Sequence, residues 1–471
     1  MLRSGQSIVG VSMNPGLQES LTRKLAREMA TTPVEAIPGF AIESFTGLFV
    51  DHVGITYMGA ALSGPALFGY ARDLGGRADA VLIGDGARVP AEMAAGVNGQ
   101  HCRMTNFEES GPGRHLGPLC VHTALAVGQR VSATGRAVLA AAVLGYVLGS
   151  RFHFAQRVEN GLPHHRVVAA AIAARLLGQD TDETARTISL AWELPHRARS
   201  GSRPGNSTPL FRRKRVSPLG TPGELATPLF HARAGIQAAL MVSHGFSSVA
   251  DEVDEHAADY DPEILTGGPT PFHVVRQMEL KPWPCARPAQ GAIQALRELV
   301  RTHSIDADAV SAITLRVPGV ATVPHQFEPD PESWEQAAYS LQWAAAMVLQ
   351  GIPPGPKWLS QDRLQDPLSR RIAASVHVIE DKDATVAYRE FRRPDVKGSA
   401  EVRVAHQTHV SECTLGETEG GADRPMSKDS VEQKFCESTS LSMPETRARQ
   451  LLKALWRIDQ VGDVRELAAQ F

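Results

Sequence analysis

The sequence has no paired cysteines. Its five, Cys102, Cys120, Cys285, Cys413 and Cys436, are odd in number and scattered, with no CxxC among them. That excludes a disulfide framework or a cysteine zinc site and predicts reduced thiols in the cytoplasm. No charge dominates either: 48 Lys and Arg face 51 Asp and Glu, a net −3. Such balance argues against a nucleic-acid or anionic-membrane surface as the main business, and favours small-molecule or protein partners. The longest apolar run, AVLAAAVLGYVLG at 137–149, stops short of the roughly 18 residues of a membrane span. The first residues, MLRSGQSIVGVSMN, lack the apolar h-region of a signal peptide. GDGARV at 84–89 makes neither a GxGxxG nor a P-loop, so nucleotide binding has no support. His101, His122 and His153 lack metal-ligand spacing with acids and read as core or surface histidines.

What is present is helical pattern. A chain of 471 residues is too long for one simple core and predicts two or three domains. LTRKLAREMA and FAIESFTGLFVDHVGITYMG are followed by LGPLCVHTALAVGQ, TGRAVLAAAVLGYVLGSRF, RVVAAAIAARLLG and ARAGIQAALMVSHGF. The last four are alanine-rich, with apolar residues recurring at three and four and glycine at or near their ends. Small side chains let helices approach closely, so residues 20–250 read as a helical bundle. Within it, a run of arginines with Lys214, from Arg197 to Arg215, carries no acid. Residues 195–228 therefore read as a self-repelling surface loop, or as a loop that folds over an anion or a partner subunit.

After about Gly268 the pattern changes. SAITLRV and SAEVRVAHQTHV alternate like strands, while GAIQALRELV and EQAAYSLQWAAAMVLQG are helical. SKDSVEQKFC and PETRARQLLKALWRI return to helix. The predicted class is mainly α: a large all-helical domain at 1–268, a smaller α+β lid at 269–424, and a C-terminal return to the helical domain at 425–471.

One stretch raises a chemical question. In ELKPWPCARPAQ, at 279–290, Pro282 and Pro284 fix φ and bias their neighbours toward extended backbone, which holds Lys281 on a stiff approach to a helix. Beside Trp283 and between apolar segments, its ammonium would lose solvation and titrate below a free lysine. An exposed lysine at a tight corner is the plainer alternative.

Several stretches, in one order, resemble the MmgE/PrpD family. VNGQHCRMTNFEESGPGRHLG at 97–117 is similar to that family's Asn-Gly, His, Asp, Asp-Asp-Thr and His-Pro series. TGRAVLAAAVLGYVLGSR resembles its Gly-Tyr-Glu helix, HARAGIQAALMVSHGFSS its Ala-Gly-x-x-Ala-Ala helix, and ELKPWPCARPAQGAIQAL its Lys-x-Tyr/Phe-Pro approach to the lid helix. AAYSLQWAAAMVLQG and PMSKDSVEQKF complete the order. The resemblance implies a helical domain with an α+β lid and a homodimer. It also implies cofactor-independent chemistry on small carboxylates through a carbanion-like intermediate: a dehydratase or decarboxylase, alternatively an epimerase, or a catalytically silent carboxylate binder.

The resemblance places catalytic roles on Lys281, on His115 and on His164 or His165, of which His165 is chosen. Gly113 and Gly117 would permit the turn that presents the His115 imidazole at a helix start. Substrate binding falls to Arg103, Asn106 and Ser110, where the family has histidine, aspartate and threonine; its acidic pair is Glu108 and Glu109. Arg103 can grip a carboxylate bidentately and Asn106 through its amide, but neither abstracts a proton at pH 7. Three further family positions have changed. Gly223 and Glu224 stand where a Thr-Lys is expected, Ala286 where a histidine is and Thr322 where a tyrosine is. Lys214 replaces the missing lysine only if its loop folds back.

Overall fold

The structure, a computed structural model, describes residues 19–111, 115–157, 163–194, 227–267, 271–323, 326–390 and 393–471. Most of the basic segment 195–228 lies outside them.

Among the described residues the larger layer includes α1 (Leu21–Thr31), α2 (Gly39–Ser63), α3 (Ala66–Leu74), α4 (Ala91–Met104), α5 (Gly117–Val131), α6 (Gly135–Ala155), α7 (Pro163–Leu176), α8 (Thr181–Glu193) and α9 (Thr227–Ser243). Local chemistry sets their starts. The Ser20 and Thr134 hydroxyls accept from the Arg23 and Ala137 backbone N–H groups, and Asp180 with Glu183 forms a capping box at α8. Pro38 stands at the N-cap of α2.

Helix α2 is buried on nearly all sides from Phe45 to Ala60 because α4, α6 and the C-terminal helix Lys428–Thr439 pack around it. Its crossing with α4 depends on Gly59, where a Cβ would run into the His101 carbonyl oxygen. Helix α6 is long and apolar enough by composition to cross a membrane, and 89% of that apolar window is buried inside the protein. It is the central strut of this layer. Between α3 and α4 a small antiparallel ribbon pairs β1 (Ala80–Val81) with β2 (Arg88–Val89).

The second layer is a sheet of β3 (Val310–Pro318), β4 (Val376–Asp381), β5 (Lys397–Val404) and β6 (Gln407–Thr414), in the order β4-β3-β5-β6. β3 runs parallel to β4 and antiparallel to β5. Ile313, Leu315 and Val317 alternate onto the face shared with Ile293 and Leu296 of the Gln290–His303 helix. That helix approaches closely enough for Gly398 to matter, since a Cβ there would strike the Ala292 backbone.

Two readings of the sequence change here. SAEVRVAHQTHV is a hairpin rather than one strand: Val404 pairs with Gln407, and Ala405 takes a φ of 50° in the turn between them. The EQAAYSLQWAAAMVLQG helix breaks at Ser340, whose extended backbone ends Trp334–Tyr339 and whose hydroxyl caps Leu341–Leu349.

The two layers have separate apolar cores, but Ile55, Met58, Cys102 and Phe107 of the helical layer belong to the core of the sheet layer. The junction between them is therefore dry and packed. It is also where the chemistry-bearing residues meet.

Candidate active site

The corner at 279–290 is fastened from several sides. Ser110 and Glu279 exchange backbone hydrogen bonds of 2.8 and 2.9 Å. Arg287 pairs with Glu279 at 2.7 Å and donates to the Leu415 carbonyl at 2.9 Å. Lys434, from the C-terminal helix, donates to the Lys281 carbonyl at 2.8 Å. Lys281 is thereby presented from a rigid frame, with its side chain fully buried. Its Nζ donates to the Asn106 carbonyl at 2.7 Å and to Asn106 Oδ1 at 2.9 Å, and lies 3.5 Å from Glu108 Oε1. Burial pushes its pKa down to about 8, against the pull of Glu108 and with help from Arg103.

Opposite the corner, α4 ends at Met104, and residues 105–111 and 115–117 lie at the junction. Asn106 adopts φ 54°, a left-handed conformation that asparagine tolerates better than most residues. Its side-chain amide donates to the Ala338 carbonyl at 3.0 Å, next to the Ser340 break. The same break brings the Tyr339 hydroxyl within 3.3 Å of Arg103 Nη1.

Three basic groups converge on one oxygen. Arg103 Nη1 lies 3.0 Å, His115 Nδ1 2.7 Å and Lys281 Nζ 3.5 Å from Glu108 Oε1. Burial by itself would raise the Glu108 carboxyl, but Lys281 and Arg103 outweigh it and hold the group below the usual carboxylate range. His115 Nδ1 also lies 3.2 Å from the Glu109 carbonyl. With two acceptors facing it, Nδ1 is assigned the proton and Nε2 becomes the basic nitrogen. Burial, then the Arg103 charge, lowers the His115 pKa to about 4 despite Glu108. The imidazole is thus neutral at pH 7, with its side chain 28% exposed.

The turn is built differently from the glycine-flanked one predicted. His115 itself takes the positive φ, 62°, while Gly117 supplies space: a Cβ there would lie 2.5 Å from His52 Nε2 and 2.6 Å from Glu109 Oε2. Gly113 lies outside the described residues.

Glu109 faces away from Glu108. It accepts from the Gly117 N–H at 3.0 Å and the Tyr146 hydroxyl at 3.0 Å, with His52 Nε2 at 4.0 Å. Burial raises its pKa, and His52 and the Gly117 N–H oppose that. His52 Nδ1 lies 3.2 Å from Asp51 Oδ2, and Asp51 Oδ1 pairs with Lys434 at 2.7 Å. Lys434 closes the circuit through the carbonyls of Phe107 and Lys281. A buried ionic frame thus supports the site from behind. Asp51 and His52 went unread in the sequence, although an acid–base pair inside the otherwise apolar FAIESFTGLFVDHVGITYMG is a visible oddity.

Of the residues singled out from the sequence, Arg103, Asn106, His115 and Lys281 meet around Glu108. Ser110 links the two layers through its main chain. Both His164 and His165 are buried in α7, their rings 4.9 Å apart, with His165 5.7 Å from His231 and His164 stacked on Phe152 at 6.0 Å. The contacts described around Glu108 do not include either of them. Tyr339, which the sequence did not point to, joins at the helix end just before the Ser340 break. Among the described residues no group of three or more His, Cys, Asp and Glu is disposed to hold a metal ion.

Cations, a neutral imidazole and an ionised carboxylate thus meet at the junction of the two layers. Residues 23–261 match the MmgE/PrpD N-terminal domain and residues 283–460 the MmgE/PrpD C-terminal domain. The chain belongs to the MmgE/PrpD family. No curated protein matches the chain closely enough to count as a relative. In this MmgE/PrpD chain the 103–117 turn lies in the N-terminal family domain, while Lys281 falls in the short stretch between the two matched domains.

Proposed function

We propose that the protein is a cofactor-independent lyase on a small carboxylated substrate, which either removes the proton next to a carboxylate and expels hydroxide from the neighbouring carbon, or releases CO₂ and adds a proton to the carbanion that this leaves. The observation that carries this reading is the convergence of Arg103, His115 and Lys281 on Glu108 in one buried site. His115 Nε2, kept basic by the bond from Nδ1 to Glu108, takes the proton. The Arg103 guanidinium and Lys281 ammonium face the negative charge that builds on the carboxylate carbon's oxygens as the C–H bond breaks. Lys281, poised near pH 8, then protonates the departing oxygen when the leaving group is hydroxide.

A second reading, a carboxylate-binding protein without turnover, is favoured by one feature. Lys281 already spends two hydrogen bonds on Asn106, where the family resemblance leads one to expect an aspartate.

Proton exchange separates the two. A panel of small hydroxycarboxylates and their unsaturated analogues, incubated with the protein in D₂O and followed by proton NMR, should include a compound that loses its signal at the carbon next to the carboxylate. The loss should vanish with His115→Ala. Binding without exchange across the panel supports the silent reading, and exchange undiminished in His115→Ala removes the role assigned to that residue.

A further inference from the structure

Glu109 is a fully buried acid that the chemistry above leaves without a role. Both its side chain and its main chain act on the segment that carries the base. The carboxyl Oε2 accepts from the Gly117 N–H at 3.0 Å, and the main-chain carbonyl lies 3.2 Å from His115 Nδ1. Gly117 opens α5, where the N-cap residue Leu116 offers no side-chain hydrogen bond and Pro118 has no N–H. The Glu109 carboxyl, 8 residues back in the chain, therefore supplies the cap that the local sequence withholds. Gly117 allows so close an approach, since a Cβ there would lie 2.6 Å from Oε2.

We propose that Glu109 is the positioning residue for His115: as the hydrogen-bond acceptor for the Gly117 N–H it holds the imidazole with Nδ1 between Glu108 and the Glu109 carbonyl, and so keeps Nε2 as the basic nitrogen. The proposal rests on the base role given to His115 above and deepens it.

His115 needs holding. Its φ of 62° is a left-handed conformation that costs a residue with a Cβ energy and relaxes when nothing opposes it. On one side the chain is fastened where Ser110 and Glu279 exchange backbone bonds, and on the other where Glu109 takes the Gly117 N–H. Glu108 is gripped by Lys281 and Arg103, so a loosened segment would carry the imidazole off Glu108 rather than draw the carboxylate along. What fastens Gly117 is reach rather than charge. The groups facing the Glu109 carboxyl are the Tyr146 hydroxyl at 3.0 Å, His52 Nε2 at 4.0 Å, and Cys120 of α5. Burial favours its protonated form, yet a carboxyl in either state keeps an oxygen that accepts from an N–H. An amide of the same length would do the same and turn its NH₂ to the Tyr146 oxygen. A side chain one methylene shorter would not span to Gly117.

Nitrogen-15 NMR of the full chain labelled at histidine tests this without any substrate, the His115 signals being those that His115→Ala removes. In the wild type the ring should hold the Nδ1–H tautomer at pH 7 and take up its second proton near pH 4. Glu109→Gln, which keeps the reach and drops the charge, should reproduce both. Glu109→Asp and Glu109→Met should lose the single tautomer and titrate at least about one unit higher, because water then reaches the ring and relieves the burial that lowers its pKa. The charged groups that face His115, namely Arg103, Glu108 and Lys281, are the same in all of these variants. Whichever of Glu109→Asp and Glu109→Met keeps its far-UV circular dichroism decides. Unchanged His115 signals in that variant, or equal changes or unfolding in Glu109→Gln, overturn the proposal. So does collapse of both loss variants, which makes Glu109 a residue of the fold alone. If the signals behave as expected while no compound exchanges in D₂O, the positioning role stands and the lyase reading alone falls.

Discussion

At the residue scale the account turns on Glu108. Lys281 stood out in the sequence because two prolines and a tryptophan around a lone lysine imply a held side chain, and His115 because the family resemblance places a histidine there. The direction of Glu108 was not legible. Two adjacent glutamates look alike in a sequence, yet here one faces Arg103, His115 and Lys281 while its neighbour faces His52 and Tyr146. Their pKa values move in opposite directions for that reason. With neutral His115 as base and cationic Lys281 as acid, kcat/KM should follow a bell. Activity rises as His115 loses its proton near pH 4 and falls as Lys281 loses its own near pH 8. Asn106→Asp adds an anion against Lys281, which stabilises the ammonium and raises its pKa, so the alkaline limb should move to higher pH. A limb that stays in place, or moves down, would detach it from Lys281. Gly117→Ala tests the packing. Its Cβ would press on His52 and Glu109 at 2.5 and 2.6 Å, and chemical denaturation should show a loss of about 1–3 kcal/mol.

At the element scale, helices were readable because their apolar periodicity is long and their caps are local. Boundaries set by single residues were less so. Alternation continues across Ala405 and His406, so two strands read as one, and helical composition continues across Ser340, so one helix was expected where there are two. The Ser340 break has a functional consequence, since it delivers the Ala338 carbonyl to Asn106 and the Tyr339 hydroxyl to Arg103. The C-terminal helix acts on the site in a comparable way through Lys434, which pairs with Asp51 and holds the Lys281 carbonyl. Lys434→Met should leave Asp51 buried without its cation. The expected cost is about 3–5 kcal/mol in denaturant unfolding, together with a fall in kcat, because the Lys281 backbone loses a fastening. Unchanged stability would mean that the buried pair carries little of the fold.

At the scale of the whole molecule, the two layers meet along a dry seam, and the candidate chemistry sits in it because each layer supplies part. The helical layer contributes Arg103, Asn106, Glu108 and His115; the corner leading into the sheet layer contributes Lys281. The family order of motifs made the mainly α fold with its smaller α+β part readable, whereas the convergence on one carboxylate oxygen required coordinates. The most direct measurement is a crystal structure after soaking with small carboxylates. The account predicts a bound carboxylate within about 3 Å of Arg103 and Lys281, with the adjacent carbon turned toward His115 Nε2. A carboxylate bound away from that junction, or His115 and Lys281 found without a common ligand-accessible space, would contradict it.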